Sequence, residues 1–272
     1  MAFDDIEWRA KQVLVNGITF DLEESLQGRP GPAEFRLHRH QAIVDDYAEF
    51  FDRNPDARPR RMMEIGIWQS GSMVFWNEVL RPERLTGIDI RRPGDLSAFE
   101  RYLASGALCD RVRAHWGVNQ GDDQQLREIV EADNLAPLDL VIDDGSHEYE
   151  LTLRSFNVLF PLLRPGGHYV IEDWNWDHSP NQQDPNHPIT LLRSPERLVI
   201  DALQAMASVR QVVAAATIYT GFAAIRRGSE AIDEAFDVRS FIRPKMPPSP
   251  MLRLRRAYRR LRVMTKRATP WR

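Results

Sequence analysis

Two apolar segments of the chain each end in carboxylates. One ends in Asp143-Asp144-Gly-Ser-His147, and the other ends in Glu172-Asp173. In an open α/β sheet the carboxyl ends of neighbouring strands meet at the ligand crevice, so these four acids are expected to converge beside His147. Because like charges so close together repel one another, a cation or strong hydrogen-bond donors must offset them. The pattern indicates a metal site with a base next to it.

A glycine-containing turn follows the first predicted strand, in the segment Glu64–Ser72. Gly66 allows the backbone to approach a ligand closely, and a helix that starts near Gly71 can receive polar groups at its N-terminus. The spacing differs from the G-x-G-x-x-G of dinucleotide enzymes. Asp89, at the end of the second predicted strand, is typical of an acid that accepts hydrogen bonds from ribose hydroxyls. The acidic Glu64 favours a cofactor with a positively charged amino acid part; a plain glycine-rich turn with a surface Asp is the structural alternative.

Apolar runs alternate with helical patterns through the middle of the chain. The runs cover 62–67, 85–90, 111–116, 138–142 and 168–172, and the helical patterns cover 72–80, 97–105, 123–132 and 149–163. Strands alternating with helices predict a parallel, doubly wound sheet. After a helix near 195–207, two strand-like runs joined by a short turn predict a terminal hairpin, which is typical of the class I methyltransferase variant of nucleotide-binding folds.

These motifs resemble those of the class I S-adenosylmethionine-dependent methyltransferases. More narrowly, the chain is similar to the family of rhamnosyl O-methyltransferases and cephalosporin hydroxylases, which includes macrolide sugar O-methyltransferases. The resemblance covers about residues 34–225, and its carriers are Glu64–Ser72, Gly87–Ile90, Ile142–His147 and Val170–Asp173. It implies a Rossmann-like α/β fold with a mostly parallel seven-stranded sheet, a terminal antiparallel hairpin and helices on both faces.

The resemblance also implies roles for site residues. Family members bind a divalent metal, usually Mg²⁺, which implies Asp144, Glu172 and Asp173 as ligands and His147 as general base. Asp143 is then left facing the cofactor, and the region of Asn119 and Gln120 lies near the adenine. The residues expected to hold S-adenosylmethionine are Glu64, Gly66, Ser70, Gly71, Asp89, Asn119, Gln120 and Asp143.

The expected function is metal-dependent O-methylation of a sugar hydroxyl in a glycosylated natural product or glycolipid. A neutral imidazole at His147 is a competent base for such a hydroxyl. A nicotinamide-dependent oxidoreductase and a non-catalytic cofactor-binding module are the alternatives. In the structural alternative, Ser146 or Asp144 only caps the helix over 149–163 while Glu172 and Asp173 begin a loop.

The loop over residues 174–190 is expected to select the substrate, because long ordered loops above a sheet are usually functional. Trp174 and Trp176 could stack on a sugar face or could simply pack. The polar candidates in and before this segment are Asn175, His178 and His187, together with His38 and His40, which could cover the site or lie on the surface.

Composition suggests a protein of the reducing cytoplasm. The chain of 272 residues has a single cysteine, Cys109, expected to be buried, and no apolar run long enough for a membrane span. The N-terminus is acidic and lacks the apolar region of a signal peptide. The expected organisation is an N-terminal helical cap over 1–55, a catalytic domain over 56–230, a linker over 231–250 and a basic amphipathic tail over 251–272.

The basic tail needs a separate explanation. It contains nine of the 36 Lys and Arg residues and no Asp or Glu, so the rest of the chain is strongly acidic. A basic amphipathic helix could lie on an anionic membrane at the inner face, dock on this chain or on a partner, or stay solvated. Nucleic-acid binding is disfavoured because the acidic body lacks a basic groove. A homo-oligomer is compatible with the sequence.

Overall fold

The chain begins with a small four-stranded sheet. The computed structural model describes residues 3, 5–9, 11–22, 33–179, 182, 184, 188–233, 235–253, 255–256 and 258. The strands of this sheet, adjacent in chain order, are β1 (Ile6–Arg9), β2 (Gln12–Val15), β3 (Ile18–Leu22) and β4 (Phe35–Leu37). The β3–β4 pair is parallel and the other two pairs are antiparallel.

This sheet differs from the helical cap expected over residues 1–55. Among the described residues of that range, only α1 (Gln41–Arg53) is an α-helix. In β2, Val13 and Val15 are buried while the residues beside them are partly exposed, which is the period of two that defines a half-buried strand. Asn16 and Gly17 join β2 to β3 with φ angles of 48° and 83°, the two-residue turn that favours a tight hairpin.

A second, seven-stranded sheet forms the centre of the fold. Its strands are β5 (Arg61–Ile65), β6 (Arg84–Asp89), β7 (Val112–Trp116), β8 (Leu138–Asp143), β9 (Leu163–Glu172), β10 (Val213–Ile218) and β11 (Phe222–Arg227). They lie in the order β10-β11-β9-β8-β5-β6-β7. Neighbouring strands from β9 to β7 pair in parallel, whereas β11 pairs antiparallel with both β9 and β10. The predicted α/β fold with a terminal hairpin is confirmed.

Helices cover both faces of this sheet. They are α1, α2 (Gly71–Leu80), α3 (Ser97–Ser105), α4 (Asp123–Ala132), α5 (Tyr149–Leu159) and α6 (Glu196–Ser208). One apolar core holds residues of α4, α5 and α6, such as Phe156, and the other holds residues of α1, α2 and α3, such as Phe75. Every residue of β8 is buried, which is expected of a central strand covered on both faces.

The last part of the chain divides differently from the expected linker and tail. Residues up to Ile242 form one compact unit, and residues 243–272 form a second. Phe236 and Val238, placed in the expected linker, are buried in the core of the first unit. In the second unit residues 250–253 are helical, and Met251, Leu252 and Tyr258 are exposed. Most of the tail expectation falls on residues outside the described part, namely 254, 257 and 259–272.

The structure bears on two expectations drawn from composition, the burial of the cysteine and the lack of a membrane span. Cys109 is exposed rather than buried, because it lies in the turn that precedes β7. No helix among the described residues is long and apolar enough to span a membrane.

The buried His168 of β9 is expected to make the stability of the protein depend on pH. The ring is 4% exposed and packs edge-on against Phe50. Burial, with Arg226 and Arg164 nearby, lowers the pKa of His168 from 6.5 to about 4. As the pH falls, His168 is therefore protonated in the unfolded chain before it is protonated in the folded protein. We expect the free energy of unfolding to fall by about 3 kcal/mol as the pH drops from about 6.5 to about 4.

Denaturant unfolding at a series of pH values measures this loss. A His168→Phe variant should remove most of the slope between these pH values, because its ring cannot take up a proton. Replacing the exposed His178 with Gln is the matched control and should leave the slope unchanged. If His168→Phe unfolds with the same pH dependence as the unaltered chain, another group is responsible.

Candidate functional site

The sheet opens a crevice at the carboxyl end of β5. The strand order reverses there, because β6 follows on one side of β5 and β8 lies on the other. Ligands bind at such switch points in open α/β sheets. A cavity of about 490 Å³ lies at this edge. It is lined by loops after five parallel strands and by the N-terminal segment, including Gly66, Asp89, Asn119, Gln120, Asp144, His147, Glu172, Asp173, His38 and His40.

Gly66 is required by close backbone packing. Its φ is +85°, and a Cβ at this position would overlap the carbonyl group of Asp144 in the loop after β8. Gly71 packs in the same way against the carbonyl of Arg36, and Ser70 is buried. Neither Ser70 nor Gly71 lines the cavity, so of the four residues of this turn that were predicted to hold the cofactor only Gly66 lines it.

Asp89 stands at the end of β6 with its side chain fixed by backbone donors. Its Oδ2 accepts a hydrogen bond from the Trp68 amide at 2.7 Å, and its Oδ1 accepts one from the Arg91 amide at 2.7 Å. Carboxylate oxygens have further lone pairs, so the group can still accept from a ligand hydroxyl. The predicted position of Asp89 at the cavity is thus what the structure shows.

Asp143 does not face the cavity, contrary to the expectation. Its Oδ2 accepts hydrogen bonds from the Tyr169 hydroxyl at 2.6 Å and the Ser155 hydroxyl at 2.7 Å. Gln120 donates to its Oδ1 at 3.2 Å and accepts from the Ser146 amide at 2.6 Å. Burial raises the pKa of Asp143. Successive residues at a strand end point to opposite sides, so Asp143 organises the interior while Asp144 turns to the cavity.

A buried arginine holds the acids at the ends of β5, β8 and β9. Arg39 Nη2 lies 2.7 Å from Glu172 Oε1, 3.1 Å from Asp144 Oδ2 and 3.3 Å from Glu64 Oε1. The Tyr47 hydroxyl also donates to Glu172 Oε1 at 2.7 Å. Burial would lower the pKa of Arg39, but the three carboxylates raise it well above its usual value. The guanidinium is therefore a permanent cation, one of the strong donors that the acid cluster needs.

This arrangement affects two predictions: that Glu64 holds the cofactor and that Glu172 binds the metal. Glu64 is fully buried and does not line the cavity, and burial raises its pKa to about 7. Glu172 is 3% exposed, and both of its oxygens accept hydrogen bonds from Arg39. Glu64 is thus not placed to meet a cofactor directly, and Glu172 is already engaged by protein donors.

Asp144, His147 and Asp173 form the accessible part of the cluster. His147 Nε2 lies 3.8 Å from Asp144 Oδ1 and 3.9 Å from Asp173 Oδ2, and ligand atoms of the three residues lie within 4.8 Å of one another. His147 and Asp173 have positive φ angles of 53° and 48°. Such backbone costs about 1–3 kcal/mol each and is retained at functional sites where surrounding contacts impose it.

Two tryptophans of the following loop are anchored by hydrogen bonds, and Trp176 holds the backbone of His147 directly. Trp176 Nε1 donates to the carbonyl oxygen of His147 at 2.7 Å, and Trp174 Nε1 donates to that of Tyr219 at 3.1 Å. Both rings are thus anchored by their N–H groups, as in the packing alternative. His178 lies 3.2 Å from Glu196. His187 lies outside the described residues.

Comparison with known proteins identifies the central part of the chain. A family model described as a methyltransferase domain matches residues 63–174. Residues 63–174 are thus similar to methyltransferase domains. This match confirms the resemblance and favours it over the nicotinamide oxidoreductase. Residues 63–174 contain every residue predicted to hold the cofactor or the metal or to act as the base, whereas Arg39 and Tyr47 precede them.

Curated relatives are similar to this chain over about half of its length. Demethylmacrocin O-methyltransferase of Streptomyces fradiae is 34% identical over 154 residues, which are 53% of this chain and 35% of that protein. Mycinamicin VI 2''-O-methyltransferase of Micromonospora griseorubida is 35% identical over 158 residues, again 53% and 35%. The chain thus spans about a third of the length of these relatives.

A solved structure supports the same fold assignment. It is described as MycE methyltransferase from the mycinamycin biosynthetic pathway in complex with Mg, SAH and mycinamycin VI. The TM-score is 0.52 at 26% identity, over 68% of this chain and 49% of that chain.

Arg39 and Tyr47 are the site residues that sequence reasoning missed. Residues 35–40 alternate between buried and more exposed positions, and Arg39 shares the buried face with Phe35 and Leu37. An arginine in register with two buried apolar residues of an extended segment must find acids in the interior. That alternation was the signal that could have identified Arg39. The sequence also predicted a cluster of converging acids to which no cationic side chain had been assigned.

Proposed function

We propose that this chain is a metal-dependent O-methyltransferase that transfers the methyl group of S-adenosylmethionine to a sugar hydroxyl of a glycosylated natural product or glycolipid. The observation that carries the proposal is the accessible group of Asp144, His147 and Asp173 at one end of the cavity that Gly66 and Asp89 also line. The names of the macrolide and tetracenomycin sugar O-methyltransferases support this acceptor class.

The polar side chains and the backbone that line the cavity suit this cofactor. Asp89 can accept from ribose hydroxyls, and Gly66, which packs too closely on Asp144 to carry a Cβ, lines the same cavity. Asn119 and Gln120 line the cavity after β7, where an adenine would lie. Bound S-adenosylmethionine supplies an electrophilic methyl group on a sulfonium sulfur.

The donor set fits a hard divalent cation such as Mg²⁺. Asp144 Oδ1 and Asp173 Oδ2 are carboxylate oxygens, the ligand type that Mg²⁺ prefers, and these two residues would hold the cation. A bound cation supplies stabilisation of negative charge on an acceptor oxygen. A ring nitrogen is a poorer Mg²⁺ ligand, which leaves His147 available as a base.

His147 is proposed to accept the proton of the acceptor hydroxyl at Nε2. As the oxygen–methyl bond forms, the carbon–sulfur bond breaks and its electrons stay on sulfur. The acceptor proton goes to the imidazole, and the products are a methyl ether and S-adenosylhomocysteine. Trp176 holds the carbonyl oxygen of His147 and so fixes the position from which the ring acts. Membrane contact through the basic tail, homo-oligomerisation and a cytoplasmic location remain predictions.

The acceptor class is tested by methyl transfer from labelled S-adenosylmethionine to a panel of rhamnosides and deoxysugar macrolides, with simple phenols and catechols as competing acceptors. The proposal predicts labelled sugar ethers in Mg²⁺ and none in EDTA. Transfer that is unaffected by EDTA, or that occurs on phenols and on no glycoside, would contradict the proposed mechanism or substrate.

Asp89 provides a direct test of the cofactor site. An Asp89→Asn variant keeps the shape but loses the charge, and a hydrogen bond to a charged group contributes about 1.5–3 kcal/mol. We expect calorimetric affinity for S-adenosylhomocysteine to fall by about 10- to 100-fold. An Asp110→Asn variant, at an exposed turn, is the control. Unchanged affinity in Asp89→Asn would place the ribose elsewhere.

A further inference from the structure

We propose that the second unit of the chain, residues 243–272, binds the surface of an anionic phospholipid membrane through its basic helix. This unit lies outside residues 63–174 and lines no part of the cavity, so membrane binding does not depend on the proposed methyl transfer. Three features of the unit support the assignment: its charge, its exposed apolar side chains and the way in which its helix begins.

Positive charge is concentrated in this unit. Residues 243–272 hold eleven of the 36 Lys and Arg residues of the chain and none of its 39 Asp and Glu residues. The first unit is therefore strongly acidic, and an anionic surface repels it. Clusters of about four to eight Lys or Arg residues on an amphipathic helix are typical of segments that bind anionic lipid headgroups. Charge thus restricts attraction to an anionic membrane to the second unit.

The helix of this unit exposes large apolar side chains. Met251 is 66% exposed and Tyr258 is 69% exposed, and these two helical residues are seven positions apart, which places them on one face. Leu252 is exposed beside them. In the sequence, Leu254 and Leu261 continue the same spacing. An apolar stripe among cations is the pattern of a helix that lies at the boundary between headgroups and acyl chains.

Arginines accompany this stripe. Arg253, Arg255 and Arg256 are helical and exposed, and nine of the eleven basic residues of the unit are Arg. The guanidinium group matches the geometry of phosphate oxygens, and the apolar stem of Arg can stay with the acyl chains while the charged end reaches the headgroups. The side chains of this helix therefore suit both layers of a phospholipid surface.

The helix has its own start signal. The Ser249 hydroxyl accepts a hydrogen bond from the Leu252 amide at 3.3 Å, and the Ser249 carbonyl accepts one from the Arg253 amide at 3.0 Å. Ser249 is thus an N-cap, and Pro250 occupies the first helical position, where proline is favoured. Three of residues 244–248 are Pro, which is typical of a semi-rigid spacer. The sequence therefore encodes a spacer followed by a separate helix.

Co-sedimentation of the purified full chain with vesicles tests the proposal. We expect binding to mixed phosphatidylglycerol and phosphatidylcholine vesicles that weakens at high salt, and little binding to phosphatidylcholine alone. Replacing Arg253, Arg255 and Arg256 together with Gln should lower the partition coefficient by about 100-fold, because each basic residue at the surface contributes about fivefold.

A triple variant of the first unit is the matched control. Replacing Arg53, Arg60 and Arg101 with Gln makes the same change in net charge at three exposed arginines, and it should not weaken vesicle binding by more than about twofold. Thermal unfolding of both triple variants shows that the first unit stays folded.

The apolar face is tested separately. Replacing Met251 and Tyr258 with Ala should lower the partition coefficient by about tenfold or more, because the larger side chains no longer enter the interface. Unchanged binding in this variant or in the Arg253, Arg255 and Arg256 variant would overturn the proposal. Equal binding to uncharged vesicles, no binding to any vesicle, or retention on duplex DNA without vesicle binding would also overturn it.

Discussion

Replacing His147 with alanine is expected to lower kcat by about 10²–10⁴ while leaving the binding of S-adenosylhomocysteine and Mn²⁺ within about twofold. The loss follows because Nε2 is the basic atom next to the accessible carboxylates, at 3.8 Å and 3.9 Å from them. Buried His168, with its lowered pKa, lies elsewhere on β9 and cannot replace it. Single-turnover kinetics with a glycoside acceptor, together with both binding measurements, test this expectation.

The binding measurements decide which role His147 has. A tenfold loss of Mn²⁺ affinity in His147→Ala would make the imidazole a metal ligand, which the geometry of the three residues also allows. Full turnover would remove it from the chemistry altogether. His178→Ala is the matched control, because this exposed histidine lies in the loop after β9, does not line the cavity and pairs with Glu196.

Asp144→Asn is expected to produce the second large effect, a loss of about 100-fold or more in turnover at low metal concentration. The substitution keeps the shape of the side chain but removes the charge that faces both the cavity and Arg39. Raising the Mg²⁺ concentration should restore part of the turnover, since the defect lies in metal affinity. Metal titrations of initial rate measure this shift.

An unchanged metal dependence in Asp144→Asn would exclude this carboxylate as a ligand. The control for this substitution is Asp123→Asn, an exposed acid of α4 that pairs with Arg154 and lies in the same domain. Thermal unfolding of both variants separates a loss of metal affinity from a loss of folded protein.

The seven-stranded sheet could be predicted because its signals are local and strong. Continuous apolar runs such as the one in β8 predict buried parallel strands, and each is followed by a helical pattern. The four-stranded N-terminal sheet was missed because its strands are short. Nevertheless, Asn16-Gly17 between alternating apolar residues is a strong hairpin signal, and it fell where a helical cap was expected.

The candidate site was predicted in its location but only partly in its contacts. Strand ends meet in parallel sheets, which is why Asp144, His147 and Asp173 could be placed together from the sequence. The direction of a side chain at a strand end depends on tertiary contacts, and Asp143 turned to Tyr169 and Ser155. The capture of Glu172 by Arg39 joins residues 133 positions apart, which no local pattern specifies.

Calorimetric titration of the purified chain with S-adenosylhomocysteine, in Mg²⁺ and then in EDTA, tests the central claim most directly. The account predicts micromolar binding of S-adenosylhomocysteine in Mg²⁺, and little change in EDTA because Asp89 and the Gly66 turn, rather than the metal, hold the cofactor. No binding in either condition, with NAD binding instead, would contradict the methyltransferase function and leave the acid cluster to another reaction.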